Sequence, residues 1–278
     1  MIKKLAYFFL NKMFGKFFYY KFFLILKNIG LEGLNYRNTD INLNGELYLI
    51  KKLAIYFKAK NENTILFDVG ANIGNYSKEL NRYFTDYKTI YAFEPFSVPF
   101  NELTNLAKLY PMIKPYNIGF SDTCENKIFY SNENYSEIGG VYDRSIVLEN
   151  IPQTIKETKQ FSTLDFFCNE NSIPHIHFLK IDVEGHEYMI LKGANLLIQD
   201  NKIDFIQFEF GAGNHFSRTF FLDFFQLLST NYKLFRILSD GIIEVVKYNS
   251  DLEIQVLSNY FAVNKLHANK FLSHVQHQ

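Results

Sequence analysis

The sequence has few of the features that stabilise secreted scaffolds or anchor a chain in a bilayer. It contains only two cysteines, Cys124 and Cys168, and no tryptophan. Two cysteines cannot build a disulfide framework, and they lack the paired spacing of a zinc site. The earliest apolar run, residues 5–10, is too short to span a bilayer, and no small-residue cleavage site follows it. We therefore expect neither a signal peptide nor a membrane span, and a reducing, cytoplasmic compartment.

An excess of charge of one sign is also missing. Lysine plus arginine total 29 and aspartate plus glutamate total 29, so no net field attracts a polyanion. No Gly-Lys-Ser or Gly-Lys-Thr follows a predicted strand, which excludes a phosphate-binding P-loop. These absences argue against a nucleic-acid partner and against nucleoside triphosphate chemistry.

The first 44 residues predict a helical N-terminal cap, joined to a main domain of residues 45–278. Two interpretations of the cap stay open. Its lysines all precede the first acidic residue, Glu32, which suits a helix lying on a membrane surface through residues 1–28. We favour a cap packed on the main domain or across a homodimer, because aromatic side chains interrupt the polar face. The apolar face comprises Ala6, Phe9, Leu10, Met13, Phe17 and Tyr20, the lysines are Lys3, Lys4, Lys12, Lys16, Lys21 and Lys27, and the interrupting residues are Phe8, Phe14 and Phe18.

From residue 46 onward, short apolar runs alternate with helical spacing, which predicts a doubly wound, mostly parallel α/β sheet of the Rossmann-like class. Short, turn-linked strands at the end predict an antiparallel C-terminal edge. Residues 121–160 are polar and turn-rich and predict an insertion with a short hairpin. The predicted strands are 64–69, 89–93, 113–120, 176–182, 203–210, 232–238, 242–246 and 260–263, and the predicted helices are 46–57, 97–110, 164–169, 187–198 and 217–228.

Four acidic residues, Asp68, Glu94, Asp182 and Glu209, come at the ends of predicted strands. In open α/β sheets the carboxyl ends of the strands form the ligand crevice. Clustered carboxylates repel one another, so this arrangement indicates a ligand that carries positive charge and hydroxyl groups.

The turn Gly70-Ala71-Asn72-Ile73-Gly74 lets backbone N–H groups approach a ligand at the start of a helix. Glu94 follows about twenty residues later, the offset at which an acid binds ribose hydroxyls. These features alone would also suit NAD. However, Asn72 replaces the glycine that admits a pyrophosphate, and Asp68 adds a negative charge beside it. The pattern therefore favours S-adenosylmethionine, which carries a sulfonium and an ammonium.

A metal site is not expected. His175 and His177 flank Ile176, but no carboxylate or cysteine lies at ligand spacing in the sequence.

Several longer segments resemble the FkbM-type methyltransferases. The most specific is Lys180-Ile-Asp-Val-Glu-Gly-His-Glu187, and the others are Phe67 to Gly74, Ala92 to Pro95, Thr163 to Asp165, Leu191 to Ala194 and Asn259 to Val263. The resemblance implies a class I methyltransferase that uses S-adenosylmethionine to methylate an oxygen, commonly a hydroxyl of a sugar or polyketide-like molecule. A weaker similarity, in Tyr142-Asp-Arg144 and Phe208-Glu-Phe-Gly211, is to members associated with bacterial surface polysaccharide, which implies a glycan precursor as acceptor.

The expected site residues fall into three groups. Two routes for the proton of the acceptor hydroxyl stay open: we favour Glu184 and His186 as orienter and base, and the alternative is a divalent cation shared by Asp182 and Glu209. An NAD-dependent enzyme and a noncatalytic adenosylmethionine-binding module are the rival functions. The cofactor-binding residues are Asp68, Gly70, Ala71, Asn72, Gly74, Glu94, Pro95, Ser121 and Asp182; the substrate-binding residues are Tyr142 and Arg144; and the catalytic residues are Asp182, Glu184, His186 and Glu209.

Overall fold

A computed structural model of the chain describes residues 7, 10–60, 63–85, 88–132, 139–145 and 154–276. Its main sheet has eight strands in the order β10-β9-β11-β8-β7-β1-β2-β3. Strands β8, β7, β1, β2 and β3 pair in parallel, whereas β11 pairs antiparallel with β8 and β9, and β10 antiparallel with β9. These strands are β1 (Thr64–Val69), β2 (Lys88–Phe93), β3 (Ile113–Tyr116), β7 (Ile176–Ile181), β8 (Ile203–Phe210), β9 (Tyr232–Leu238), β10 (Gly241–Glu244) and β11 (Ser258–Asn264). The predicted fold is confirmed, including its antiparallel edge.

Helices cover both faces of this sheet. Along β1, Leu66 packs into the apolar core on one face and Phe67 into the core on the other, and both side chains are fully buried. Burial of one such side chain contributes about 1.5 to 3 kcal/mol. The helices are α1 (Tyr20–Gly33), α2 (Glu46–Lys58), α3 (Asn75–Tyr83), α4 (Ser97–Leu109), α5 (Leu164–Glu170), α6 (Glu187–Lys192), α7 (Asn195–Gln199), α8 (Asn214–Ser217), α9 (Phe221–Leu228) and α10 (Lys265–Gln276).

The predicted strand 113–120 is wrong, because the chain leaves the main sheet after Tyr116. The side chain of Asn117 donates hydrogen bonds to the carbonyl oxygens of Glu94 and Pro95. Beyond this turn the chain joins a second sheet in the order β4-β6-β5. Its strands are β4 (Gly119–Phe120), β5 (Glu125–Ser131) and β6 (Ile155–Ser162). The insertion contains an antiparallel pair, β5 and β6, and β6 extends beyond residue 160. The connection between them includes residues 133–138 and 146–153, which lie outside the described part, so the short hairpin stays a prediction.

The predicted helix 187–198 is interrupted at Gly193-Ala194, where it divides into α6 and α7. A Cβ atom on Gly193 would lie 2.1 Å from the carbonyl oxygen of Ser121, so this close approach requires glycine. The carboxylate of Asp165 then accepts hydrogen bonds from the N–H groups of Leu196 and Leu197 and caps α7. The predicted helix 217–228 is also shorter, because Arg218 adopts a left-handed conformation and α9 starts at Phe221.

The N-terminal helix α1 is held to the main domain near its C-terminal end. The guanidinium group of Arg236 lies 3.6 Å from the ring centre of Tyr36, and the Asn35 side chain bonds the carbonyl oxygen of Ile237. Within α1 itself only Leu31 is buried. The packing expected of a cap is therefore confined to the end of α1 and the turn after it. Among the residues that the structure describes, no helix combines the length and apolar character needed to cross a membrane.

A cluster of imidazoles surrounds Asp204 at the opposite end of the strands from the predicted site. Oδ1 of Asp204 lies 2.8 Å from Nε2 of both His175 and His267. His177 lies beside them, and the ligand atoms of His175, His177 and Asp204 are within 4.8 Å of one another. The expectation that no carboxylate accompanies His175 and His177 is thus wrong in three dimensions, because β8 supplies one.

Hydrogen bonds already use the atoms that a metal would need. Nδ1 of His177 accepts from the N–H of Ile65, which leaves the proton of a neutral ring on Nε2, where it blocks metal coordination. Nδ1 of His267 lies 3.2 Å from the hydroxyl of Tyr56, a geometry in which Nε2–H points at Asp204. We therefore retain the prediction of no metal and assign the cluster to joining β7, β8 and α10.

The Asp204→Asn variant tests this assignment. Burial works to raise the pKa of Asp204, but His175 and His267 outweigh it and hold this pKa well below its usual range. The resulting stability is present above the unfolded pKa, about 4, and is lost as the pH falls further. We expect Asp204→Asn to lower the free energy of unfolding at pH 7 by about 1.5 to 3 kcal/mol in urea titrations. The exposed Asp200→Asn serves as control, and equal stabilities would contradict the assignment.

Candidate active site

A cavity of about 670 Å³ opens at the carboxyl ends of the central parallel strands. Most of the predicted residues lie on its wall, whereas Asp68, Gly74, Ser121, Tyr142 and Arg144 do not. The lining contains seven carboxylates and only two lysines. The predicted residues on the wall are Gly70, Ala71, Asn72, Glu94, Pro95, Asp182, Glu184, His186 and Glu209, the remaining carboxylates are Asp40, Glu46 and Glu79, and the lysines are Lys78 and Lys180.

The glycine turn after β1 depends on two glycines with positive φ, and Asn72 between them also has a positive φ, of +48°. Gly70 has φ +81°, and a Cβ atom there would lie 1.8 Å from the carbonyl oxygen of Asp182. Gly74 has φ +90°, and its Cβ would meet the side chains of Leu103 and Leu106. The first glycine thus lets the turn pack on the chain after β7, and the second lets α3 start close to α4. Together they hold residues 70–73 against the cavity.

Asp68 lies beneath this turn and is closed off from the cavity. Its Oδ2 accepts a hydrogen bond of 2.6 Å from the Ser77 hydroxyl, while Oδ1 has no hydrogen-bond partner within the described ranges. Burial raises the pKa of Asp68, although Lys180 and Ser77 oppose the shift. The predicted direct contact of Asp68 with the cofactor is therefore not supported by its position. Asp68 influences the cavity through its electrostatic interaction with Lys180, which is on the cavity wall.

Glu94 lies at the end of β2 on the cavity wall, as predicted. Its two carboxylate oxygens accept hydrogen bonds from the N–H groups of Asn72 (3.0 Å) and Phe96 (2.8 Å). Each oxygen keeps a lone pair for a further donor. Burial raises the pKa of Glu94 to about 7, although both backbone bonds oppose the shift. Glu94 thus joins the glycine turn to the segment after β2 and is placed to accept a pair of hydroxyls.

Lys180 is the main site residue that the sequence analysis left without a role. Its ammonium group lies 2.9 Å from Oδ2 of Asp182 and 4.5 Å from the ring centre of Tyr76. Burial alone would lower the pKa of Lys180, but the negative charges of Asp182, Glu46 and Asp68 raise it. Lys180 is therefore a permanent buried cation. The sequence signal that could have identified Lys180 was a charged residue inside the mostly apolar strand β7.

Glu46 and Gln207 were also missed. The side-chain amide of Gln207 donates a 2.6 Å hydrogen bond to Glu46 and accepts one of 2.7 Å from the Tyr76 hydroxyl. The amide of Asn44 donates a second bond, of 2.9 Å, to Glu46. Burial raises the pKa of Glu46, although Lys180 opposes the shift. This polar floor joins α2, α3 and β8, elements far apart in sequence.

Asp182, Glu184 and Glu209 form the opposite end of the cavity. Burial in the cavity raises the pKa of Glu209 well above the usual range, and the charges of Asp182 and Glu184 add to the shift. Glu184 adopts φ +60° and accepts a 2.5 Å hydrogen bond from the guanidinium group of Arg144. This ion pair favours a structural role for Arg144, since its charge is already directed at a carboxylate.

The imidazole of His186 contacts residues other than Glu184, the partner predicted for it. Its Nδ1 lies 2.9 Å from the Tyr142 hydroxyl and its Nε2 lies 3.0 Å from the Ser121 hydroxyl. Burial lowers the pKa of His186 to about 4. Such a ring is neutral at pH 7 and a weak base, and both of its nitrogens have partners. His186, Tyr142 and Ser121 therefore connect the insertion to the turn after β7.

The turn at residues 183–185 is held by Glu187 and by a close backbone approach. Oε1 of Glu187 accepts hydrogen bonds from the N–H groups of Val183 and Gly185. Gly185 has φ +106°, and a Cβ atom there would lie 2.4 Å from the carbonyl oxygen of Gly213. The Glu-Gly-His-Glu string is thus explained largely by the geometry of this turn, which aims Glu184 into the cavity.

The donor set fits S-adenosylmethionine. The excess of carboxylates attracts its sulfonium and ammonium groups, and Glu94 is suited to its ribose hydroxyls. A pyrophosphate would meet the same carboxylates with unfavourable charge, which opposes NAD. The described residues bring three metal-ligating groups together only in the cluster at Asp204, outside this cavity.

Comparison with known proteins agrees with this geometry. The family model described as "Methyltransferase FkbM domain" matches residues 68–237, more than half of the chain. The chain belongs to the FkbM methyltransferase family. The family is the one that the sequence motifs indicate.

Individual relatives are more distant. The chain is 28% identical over 177 residues to the hexuronic acid methyltransferase AglP of Haloferax volcanii, a match that spans 62% of this chain and 65% of AglP. The crystal structure of methyltransferase FkbM from Methylobacillus flagellatus is 17% identical, with a TM-score of 0.45, over 76% of this chain and 47% of that chain. Aeropyrum pernix fibrillarin, solved with natively bound S-adenosyl-L-methionine, is 10% identical with a TM-score of 0.39, over 72% and 66%.

The assignment of Glu94 to the ribose of S-adenosylmethionine predicts both a loss and a pH dependence. We expect Glu94→Ala to weaken donor binding by about 1.5 to 3 kcal/mol, because hydrogen bonds to a charged acceptor are lost. Since the pKa of Glu94 is about 7, its carboxylate form gains population as the pH rises through 7. Affinity for adenosylhomocysteine, measured by calorimetry from pH 6 to 8, should rise with pH in the wild type and stay flat in Glu94→Gln.

Glu102→Gln, a change of an exposed glutamate on α4, controls for the altered net charge. An unchanged affinity in Glu94→Ala would refute the assignment.

Proposed function

We propose that this FkbM-family chain transfers a methyl group from S-adenosylmethionine to a sugar hydroxyl in a glycan precursor, with Glu209 as the general base. The main observation behind this proposal is the position of Glu209, which is on the cavity wall among other carboxylates. Burial and these neighbouring charges raise the pKa of Glu209. A carboxylate with a raised pKa is a better proton acceptor near neutral pH than an ordinary one. Methylation of a hydroxyl requires such an acceptor, because the proton must leave as the carbon–oxygen bond forms.

The residues around Glu209, at the end of the cavity that we assign to the acceptor, support its role as the base. When bound, S-adenosylmethionine supplies an electrophilic methyl group that is displaced in line from sulfur. Asp182 and Glu184 oppose ionisation of Glu209, while Lys180 favours it. The two carboxylates thus make Glu209 a stronger base, while the positive charge of Lys180 stabilises its ionised form. His186 positions the insertion beside the cavity through Tyr142, and its low pKa makes it a poor proton acceptor.

Two observations support a carbohydrate as acceptor. The first is the similarity to AglP, which is named as a hexuronic acid methyltransferase. The second is the acidic character of the cavity, which offers many hydrogen-bond acceptors for hydroxyl groups and disfavours an acceptor with a free carboxylate. A neutral sugar hydroxyl therefore fits the site better than the carboxyl group of a hexuronic acid.

The Glu209→Gln variant tests the base. We expect it to reduce turnover about 10²- to 10⁴-fold, the usual contribution of general-base catalysis, with little change in the affinity for S-adenosylmethionine. Wild-type turnover should rise with pH as Glu209 loses its proton, and the remaining activity of Glu209→Gln should lack this titration. The measurement is single-turnover transfer of labelled methyl groups, with the exposed Glu244→Gln as control.

His186→Ala distinguishes the two proton acceptors. A loss as large as that of Glu209→Gln, with donor affinity retained and the pH profile of the wild type abolished, would return the role to His186. Activity that is lost in chelator and restored by magnesium would assign the hydroxyl to a cation held by Asp182 and Glu209.

The acceptor is identified with labelled S-adenosylmethionine and two glycan sets, one built of neutral sugars and one containing hexuronic acid. We expect label in a sugar hydroxyl, where the methyl ether resists mild alkali. Label released by mild alkali as methanol would indicate a carboxyl ester and contradict hydroxyl transfer. Label in neither set, from a protein that binds the donor, would contradict the glycan acceptor.

A further inference from the structure

The N-terminal segment presents a basic–aromatic surface, defined here as residues 12–29. Its apolar side chains are exposed to a degree that is rare on a folded protein. Phe17 is 96% exposed, Phe18 85% and Tyr20 65%, and along α1 Ile25 and Ile29 are 58% and 60% exposed. These side chains have little cover from the rest of the described chain.

This surface needs a partner to be stable. Helix α1 has 14 residues, and an isolated helix of this length is marginal in water. The contacts that join this segment to the main domain come after the surface: Arg236 with Tyr36, and the backbone of Arg37 with Leu257. The helix is thus held at one end while its apolar side chains remain uncovered.

The charge of the surface identifies the partner. Lys12, Lys16, Lys21 and Lys27 are all exposed, and no acidic residue precedes Glu32 in the sequence. A second copy packed on this surface would bring two sets of lysines together without a compensating carboxylate. An anionic bilayer attracts the same lysines, and its interface accepts aromatic and aliphatic side chains on several sides of a helix.

A short stretch of chain, residues 30–37, joins the surface to the wall of the active-site cavity. The segment that follows α1 and Tyr36 runs along the cavity, where Asn38, Thr39, Asp40 and Ile41 contribute to the wall. Leu257, which accepts the backbone hydrogen bond of Arg37, lines the same cavity. A bilayer bound to the basic–aromatic surface would therefore be connected to the site through residues 30–37.

We propose that residues 12–29 bind the surface of an anionic lipid bilayer and tether the domain that carries the cavity to it. In this arrangement residues 12–29 lie in the interface between headgroups and acyl chains. Their aromatic side chains insert among the acyl chains, and their lysines contact the headgroups. Resting on the proposed function, the arrangement favours acceptors whose glycan is attached to a lipid. Binding to the bilayer itself does not depend on the acceptor.

The test is sedimentation of the full chain with vesicles of phosphatidylcholine containing about one third phosphatidylglycerol. We expect binding to weaken at least tenfold in pure phosphatidylcholine vesicles, because these lack anionic headgroups. High salt should weaken binding to the same extent, because it screens the attraction between exposed charges. We expect binding to weaken at least tenfold in two combined variants. The first carries Phe17→Ser and Phe18→Ser, and the second carries Lys12→Glu, Lys16→Glu, Lys21→Glu and Lys27→Glu. Leu109→Ser and Lys108→Glu, which alter exposed residues of α4, form the matched control.

Two further measurements keep the outcomes distinct. Calorimetry with S-adenosylmethionine shows that each variant is folded, and transfer to a lipid-free acceptor reports the proposed function independently of vesicles. Failure of the wild-type chain to bind anionic vesicles overturns the proposal. A dimer in sedimentation equilibrium that the Phe17→Ser and Phe18→Ser changes abolish, without vesicle binding, assigns the surface to a second copy instead.

Discussion

The buried ammonium group of Lys180 is the interaction on which the arrangement of the site depends. It lies under the cavity with carboxylates on several sides, and Asp182, Glu46 and Asp68 each contribute to its raised pKa. Without a cation at this point, these acids would have to bind protons or move apart. Asp68 beneath the glycine turn, Glu46 of the polar floor and Asp182 at the opposite end of the cavity all interact with this one charge, so the electrostatics of the three regions are coupled.

The sheet could be predicted because each strand carries a local signal. For β1 the predicted residues 64–69 agree with the observed Thr64–Val69, since a short apolar run ends in a polar residue and a glycine. The glycine turn was also predictable, because Gly70 and Gly74 adopt conformations that other residues rarely adopt. In both cases the cause lies within a few residues of the effect.

The errors arise where a distant segment decides the outcome. Gly193 interrupts a helix whose periodicity continues through it, because the carbonyl oxygen of Ser121 occupies the space for a Cβ atom. The contact of Glu46 with Gln207 joins residues 161 positions apart, so no spacing rule could bring them together. The prediction that His186 is the base rests on the usual pKa of histidine, whereas burial lowers the pKa of this side chain to about 4. Long-range packing thus changed both the elements and the chemistry.

The link through His186 bears on how such a site can change over evolutionary time. Tyr142 and Ser121 both belong to the insertion, whereas His186 belongs to the turn after β7. The insertion is therefore attached near the cavity by hydroxyl–imidazole contacts and contributes Phe129, Gly139 and Val141 to its wall, while the glycine turn and Glu94 come from the ends of β1 and β2. Under the proposed function, a chain built this way can acquire a different insertion, and with it a different acceptor, without a change in the glycine turn.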